Sequence, residues 1–278
     1  MTAEGSPTGL HVVHHGASHG DADPGAPSGD TAGRLEMTVV LVHGSLDRGA
    51  SFARVVRRMG DLHVVTYDRR GYHHSRPAGL ARTIRAHVDD LVALVGDGPA
   101  VVIGHSYGGD VAMGAALAAA PGSIRAAGVY EPPLPWLEWW PRRSARSIAE
   151  EDPGVFAESF FRRVVGDAGW DRLSEQARAA RRADGPALVA ELADLRGAGP
   201  PFDPRSLRVP VVLGRGERSL DHHRRAIDAL SGLIPDHEVI EIAGAAHGAL
   251  LTHPDGFAAL VRRVVARAGQ AGSRRPAG

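Results

Sequence analysis

The pentapeptide G-H-S-Y-G at residues 104–108 is the feature of this sequence that most restricts its fold. It follows the apolar run Ala100–Ile103 and precedes a small-residue stretch, Gly109–Leu117, that predicts a helix. In a strand, G-x-S-x-G turn and helix, the serine stands at the point of a tight turn whose flanking glycines avoid steric conflict. The helix N-terminus behind it favours developing negative charge. The pattern predicts that Ser106 is a nucleophile.

A serine nucleophile requires a general base, and His247 is the best candidate. It lies in the small-residue loop Gly244–Gly248, between the alternating run Glu238–Ile242 and a helix predicted from His253 to about Ala268. A histidine on such a loop, after the last strand, reaches over the sheet edge towards the serine turn.

The other histidines carry weaker signals, since the chain has 15 of them. We expect six of them to face solvent, namely His11, His14, His15 and His19 near the N-terminus, and His222 and His223 at a helix start. We expect His63 to lie in a strand.

An oxyanion hole is predicted from two backbone N–H groups, those of Tyr107 and Ser45. The apolar segment Val39–Val42 leads into His43-Gly44, and Ser45 follows. We expect His43 to be a structural residue beneath this loop.

Together these motifs resemble the α/β-hydrolase fold family. Residues 39–45 are similar to its third strand and oxyanion loop, residues 64–72 to its fourth strand with a D-x-R-G loop, and residues 100–109 to its fifth strand and nucleophile turn. Residues 209–247 are similar to its final two strands. The resemblance covers about residues 35–268 and implies a mostly parallel α/β sheet of this type. In the pattern D-x-R-G-x-G-x-S, His73 replaces the second glycine.

The acid that orients His247 is the least determined member of the site. At the place where the family carries an aspartate after the penultimate strand, this sequence has Ser219. Glu217 and Asp221 are nearby carboxylates, and Asp221 also suits a helix start. Glu131 follows the sixth strand, where some family members carry the acid. We expect Glu131 to be the acid, with Asp221 and Glu217 as alternatives.

Composition argues against several classes of partner. Lys+Arg and Asp+Glu both number 32, so charge gives no attraction to nucleic acid or to an anionic membrane. Cysteine is absent, which excludes a thiol nucleophile and disulfides. No apolar run is long enough to span a bilayer, and the first thirty residues lack a signal-peptide core. We expect a cytoplasmic monomer or weak homodimer.

The predicted domain organisation has a core interrupted by an insertion. Residues 1–34 form a flexible segment with a possible edge strand at Leu10–His15, and residues 269–278 a disordered tail. Residues 35–131 and 209–268 form the core. Residues 132–208, which hold three tryptophans within five positions, form a helical lid whose aromatic residues line an apolar pocket or attach the lid to the core.

The function that the sequence favours is hydrolysis of a carboxylic ester of a small apolar substrate, through an acyl-enzyme on Ser106. Neither a metal nor an organic cofactor is needed. The same groups also serve cleavage of a thioester or a C–C bond. A non-catalytic ligand-binding member of the fold is a further alternative, supported by the serine at position 219. Ser106 disfavours haloalkane dehalogenases and epoxide hydrolases, because the resemblance gives those a carboxylate nucleophile.

Overall fold

The computed structural model describes residues 2–5, 8–16, 37–141, 152–197 and 199–273. One eight-stranded sheet in the order β1-β2-β4-β3-β5-β6-β7-β8 organises them. The strands are β1 (Thr2–Gly5), β2 (His11–His15), β3 (Thr38–Val42), β4 (Val64–Tyr67), β5 (Ala100–His105), β6 (Ile124–Tyr130), β7 (Val211–Gly216) and β8 (His237–Ile242). β3 to β8 are parallel, whereas β1 and β2 pair antiparallel. The predicted α/β-hydrolase fold is confirmed.

Helices cover both faces of this sheet. They are α1 (Ala53–Val56), α2 (Ile84–Val95), α3 (Tyr107–Ala118), α4 (Pro153–Val165), α5 (Asp167–Asp171), α6 (Glu175–Ala183), α7 (Gly185–Gly197), α8 (Asp221–Ser231), α9 (Ala249–Thr252) and α10 (Pro254–Ser273). Short 3₁₀ turns in the described residues are Gly49–Phe52, His73–Ala78 and Pro204–Ser206. In the described part of the chain, no helix is long and apolar enough to cross a membrane.

Successive side chains of a strand point to opposite faces of the sheet, and helices cover both faces. The central strands are therefore buried on both faces. Val40 and Val42 pack with α2, α3 and α8, whereas Val39 and Leu41 pack with α1 and α10. The parallel strands deliver their carboxyl ends to one edge. Ser106 and Glu131 directly follow β5 and β6 at that edge.

Both ends of the chain contain more regular structure than the sequence suggests. Residues 2–5 form the edge strand β1, so His11–His15 lies inside the sheet, between β1 and β4. Most of the flexible segment expected over residues 1–34 lies outside the described residues. Helix α10 continues past Ala268 to Ser273, so the expected disordered tail is wrong for residues 269–273; residues 274–278 are outside the described range.

Candidate active site

Ser106 occupies a strained turn between β5 and α3. Its φ of 54° and ψ of −130° lie outside the conformations that residues with a side chain ordinarily adopt. The turn is closely packed: a Cβ atom at Gly104 would lie 1.9 Å from the Gly108 carbonyl oxygen, and one at Gly108 would lie 2.2 Å from that of Val42. Only glycine fits at these two positions, as the sequence pattern implies.

Four non-glycine residues in the described part of the chain have positive φ: Leu46, His73, Ser106 and Glu131. Such backbone costs free energy and is retained where surrounding structure enforces it, often at functional sites. Ser106 and Glu131 are sequence-predicted site residues, and Leu46 directly follows Ser45. The strain therefore concentrates around the predicted site.

Glu131 and His247 are hydrogen-bonded. His247 Nδ1 lies 2.8 Å from Glu131 Oε2, and because a carboxylate only accepts, the imidazole donates. Glu131 is fully buried, while 22% of the His247 side chain is exposed. Nδ1 therefore carries the proton in the neutral ring, and Nε2 is available as a base.

The second oxygen of Glu131 has its own donors. The Ser219 hydroxyl and the Gly216 N–H, at 2.8 Å, both donate to Oε1. Burial alone would raise the pKa of Glu131, but hydrogen bonds from His247, Ser219 and Gly216 outweigh it and hold that pKa below its ordinary value. The carboxylate is thus ionised at neutral pH.

The two alternative acids lie elsewhere. Glu217 is exposed, and its Oε2 accepts a hydrogen bond from the Gly244 N–H at 2.7 Å. Asp221 is exposed in the first turn of α8. Glu131 is the candidate acid that the structure brings to His247.

The loop that carries His247 is attached to residues flanking the strand ends. Nε2 of His105 lies 2.7 Å from the His247 carbonyl oxygen, and the Tyr130 hydroxyl donates to the Ala246 carbonyl at 3.0 Å. The pKa of His105 is lowered to about 4, mainly by burial and secondly by the nearby His247. This ring is therefore neutral at pH 7. These contacts link the base to the neighbours of both Ser106 and Glu131.

His223 lies against His247, contrary to the expectation that it faces solvent. The two rings stack with centroids 4.1 Å apart and planes 12° apart. The Trp140 ring in turn contacts His222 and His223, at 4.8 and 5.7 Å between centroids. Burial, followed by the charge of His247, lowers the pKa of His223 far below its ordinary value. A neutral aromatic surface therefore borders the candidate base.

The predicted oxyanion loop is held by a buried arginine that the sequence motifs do not indicate. The Arg69 side chain donates to the carbonyl oxygens of His43, at 2.9 Å, and Gly44, at 3.0 Å. Its backbone N–H donates to His43 Nε2 at 2.8 Å. His43 is fully buried and hydrogen-bonded at both ring nitrogens, which agrees with the structural role expected for it. A Cβ on Gly44 would lie 2.9 Å from that of Ser106, so this loop adjoins the candidate nucleophile.

Glu191 from α7 completes this network and was also missed. Its carboxylate forms an ion pair with Arg69 and accepts a hydrogen bond of 2.8 Å from the Ser45 hydroxyl. Burial alone would raise the pKa of Glu191, but Arg69 and then His87 lower it to about 2. A signal was present in the sequence, because Glu191 interrupts the apolar face formed by Leu188 and Leu195 at helical spacing.

The insertion between β6 and β7 packs on the same loop. Phe156, Ala157 and Leu188 form a buried cluster with Leu46. Phe160 and Phe161 are partly buried against this cluster, as expected, but Val164 and Val165 are about half exposed. The sequence favours solvated positions over an anion-binding role for the arginines of this insertion; Arg142, Arg143 and Arg146 lie outside the described residues. Arg162 pairs with Glu158, which leaves its charge compensated.

Sequence comparison identifies the family. The profile described as "Alpha/beta hydrolase family" matches residues 39–260. The chain therefore belongs to the alpha/beta hydrolase family.

Individual relatives and structures agree with this family. A pimeloyl-[acyl-carrier protein] methyl ester esterase of Stenotrophomonas maltophilia strain K279a is 29% identical over 82% of this chain and 92% of its own. Lipase LipV of Mycobacterium tuberculosis is 37% identical, but the match spans only 34% of this chain and 36% of that lipase. The fold also resembles a thermophilic esterase from Thermogutta terrifontis, with a TM-score of 0.66, 19% identity and coverage of 96% and 97%.

Proposed function

We propose that this protein is a serine hydrolase that cleaves a carboxylic ester of a small apolar substrate. Ser106 is the nucleophile, His247 the general base and then acid, and Glu131 the orienting acid. The hydrogen bond between His247 Nδ1 and Glu131 Oε2 carries the proposal, because it fixes the base in the required tautomer. The ester-cleaving relatives support the reaction class.

The reaction proceeds in two halves. The Ser106 hydroxyl attacks the ester carbonyl as its proton passes to His247 Nε2. His247 then returns this proton to the departing alcohol, which leaves an acyl group on Ser106. A water molecule activated by the same nitrogen hydrolyses the acyl-enzyme and regenerates the serine. No step needs a metal or an organic cofactor.

Two charges must be stabilised during each half-reaction. The oxyanion accepts hydrogen bonds from the backbone N–H groups of Ser45 and Tyr107. Tyr107 is the first residue of α3, so its N–H has no intrahelical acceptor. The ionised Glu131 stabilises the imidazolium of His247 where burial reduces screening by water.

The insertion, in this proposal, acts as a lid that selects substrate and excludes water. Two contacts support this role. Trp140 packs on His222 and His223, next to His247, and Phe156 packs on Leu46, next to Ser45. An aromatic surface of this kind suits an apolar acyl or alcohol group. The cytoplasmic location and the monomeric or weakly dimeric state stay predictions.

Labelling with a fluorophosphonate probe tests the chemistry, with Ser106→Ala as the matched control. The wild-type protein should label, whereas the alanine variant should not label and should lose about 10⁶-fold in kcat. A panel of p-nitrophenyl esters of two to twelve carbons, with matched thioesters, then defines the substrate class. An alanine variant that keeps a tenth of the wild-type rate would refute the mechanism. A wild-type protein that neither labels nor turns over any substrate would favour the ligand-binding alternative.

A further inference from the structure

The loop after β4 departs from the family pattern in a way that the proposed mechanism does not use. His73, which replaces a glycine of the D-x-R-G-x-G-x-S pattern, has a φ of 42°. Glycine adopts such backbone without penalty, whereas a histidine pays for it. The His73 Nδ1 lies 3.1 Å from Asp68 Oδ2. A strained histidine is thus held against a buried carboxylate.

Two more histidines lie beside the same carboxylate. His11, Asp68 and His74 each offer one ligand atom, and these three atoms all lie within 4.8 Å of one another. The His74 Nδ1 is 3.4 Å from Asp68 Oδ2, and the rings of His11 and His74 are 4.5 Å apart between centroids. The cluster joins residues from three parts of the fold: β2, the end of β4 and the 3₁₀ turn His73–Ala78.

Backbone contacts hold these three residues in place. The Asp68 N–H donates to the His11 carbonyl at 3.0 Å, and the His11 N–H donates to Ser75 Oγ at 2.8 Å. The other oxygen of Asp68, Oδ1, accepts a hydrogen bond from the Gly49 N–H at 2.9 Å, which fixes the orientation of the carboxylate. Bonds of this kind to a ligating carboxylate orient it for a metal. The arrangement is preorganised.

We propose that His11, Asp68 and His74 form a binding site for a divalent transition metal such as Zn²⁺. Two imidazoles and one carboxylate are a common ligand set for such ions, whereas Mg²⁺ and Ca²⁺ prefer oxygen ligands alone. Zn²⁺ with ligands at about 2.0–2.2 Å requires only that the side chains move closer together. The His74 side chain is 60% exposed, which leaves it room for this adjustment.

Space beside the cluster allows further ligands. A cavity of about 240 Å³ is lined by His11, His15, Asp68, His73 and His74, among others. Three protein ligands leave at least one position of a tetrahedral ion for water or for His73. A bound ion would tie β2 to the loop after β4, and its binding free energy would add to the stability of the folded chain.

Metal titration of the full-length, untagged and EDTA-treated protein tests this proposal. Co²⁺ binding is followed by its visible absorption and Zn²⁺ binding by calorimetry. His11→Asn and His74→Asn should each weaken binding at least about tenfold and remove the rise in Tm that Zn²⁺ causes in the wild type. His14→Asn is the matched control, since it removes a histidine of the same strand that contacts His63 instead.

A second cluster of side chains also has the spacing of metal ligands, and the experiment must distinguish it from the first. Glu131, His223 and His247 also offer ligand atoms within 4.8 Å of one another. Binding there would be weakened by His223→Asn and not by His74→Asn, and this result would overturn the proposal. So would a wild-type protein that binds neither ion below about 100 µM, or equal binding by the His14→Asn and His74→Asn variants.

Discussion

Ser219 donates a hydrogen bond to the carboxylate of Glu131, the residue to which we assign the role that the family pattern gives to position 219. The family pattern carries an aspartate where this chain has Ser219, and the serine alone offers no charge to a histidine. Here its hydroxyl, with the Gly216 N–H, supports Oε1 of Glu131 while Oε2 receives His247. The departure from the pattern is therefore matched by a second change, a glutamate at the end of β6.

Loss of the Glu131 charge should affect turnover strongly. We expect Glu131→Gln to lower kcat by about 10⁴-fold, because His247 loses both its orienting partner and the charge that stabilises the imidazolium. KM should change little, since Glu131 is buried behind the histidine. Steady-state kinetics on the best ester of the panel measure both constants. Asp221→Asn, the matched control at the exposed start of α8, should lower kcat less than about tenfold; a larger loss there would transfer the acid role to Asp221.

The two acid positions can be exchanged in a second test. Ser219→Asp alone should reduce activity, since two carboxylates in one buried site repel and the pKa of one rises. In the double variant Glu131→Gln with Ser219→Asp, the charge returns at the position used by the family. We expect kcat of the double variant to exceed that of Glu131→Gln by at least about tenfold. A double variant no faster than the single one would show that an acid at position 219 cannot serve His247 in this chain.

Short sequence motifs predict the positions of the candidate catalytic residues but not all of their side-chain contacts. Tight turns require glycine and parallel strands end at one edge, so the positions of Ser106, Glu131 and His247 follow from short motifs. Which of three carboxylates meets His247 depends on side-chain geometry, which motifs do not encode. The pairing of Arg69 with Glu191, 122 residues apart, depends on the path of the insertion. The polar flanking sequence predicts solvent exposure for the histidines of β2, whereas β1 and β4 flank that strand on both sides in the sheet.

Glu191 should be important for stability as well as for the oxyanion loop. Glu191→Gln leaves the buried charge of Arg69 uncompensated, which costs about 3–5 kcal/mol. Glu158→Gln is the matched control, because this carboxylate of the same insertion pairs with Arg162 and Arg182 near the surface and should contribute much less. Urea unfolding measures both effects. Equal losses in the two variants would contradict a special role for the Arg69–Glu191 pair.

The same ion pair predicts a stability change at acid pH. The pKa of Glu191 is about 2 in the folded chain and about 4.3 in an unfolded one. Its contribution is therefore fully present above about pH 4.3 and is lost as the pH falls through 2. Between these limits, the free energy of unfolding should fall less steeply in Glu191→Gln than in the wild type. If the free energy of unfolding depended on pH in the same way in both proteins, the pKa of Glu191 would not change on folding.

His223 should make the folded protein sensitive to mildly acidic pH. Its pKa is far below the ordinary value in the folded chain, mainly because of burial, whereas an unfolded histidine binds a proton near pH 6.5. The unfolded state therefore binds more protons below pH 6.5, and stability falls as the pH drops from there. His223→Phe keeps an aromatic ring against His247 and removes this titration. We expect its free energy of unfolding, from urea titrations at pH 5 to 7, to fall less steeply by up to about 1.4 kcal/mol per pH unit. Identical slopes would mean that His223 gains its proton in the folded state too, and that the stacked ring beside His247 is not held neutral.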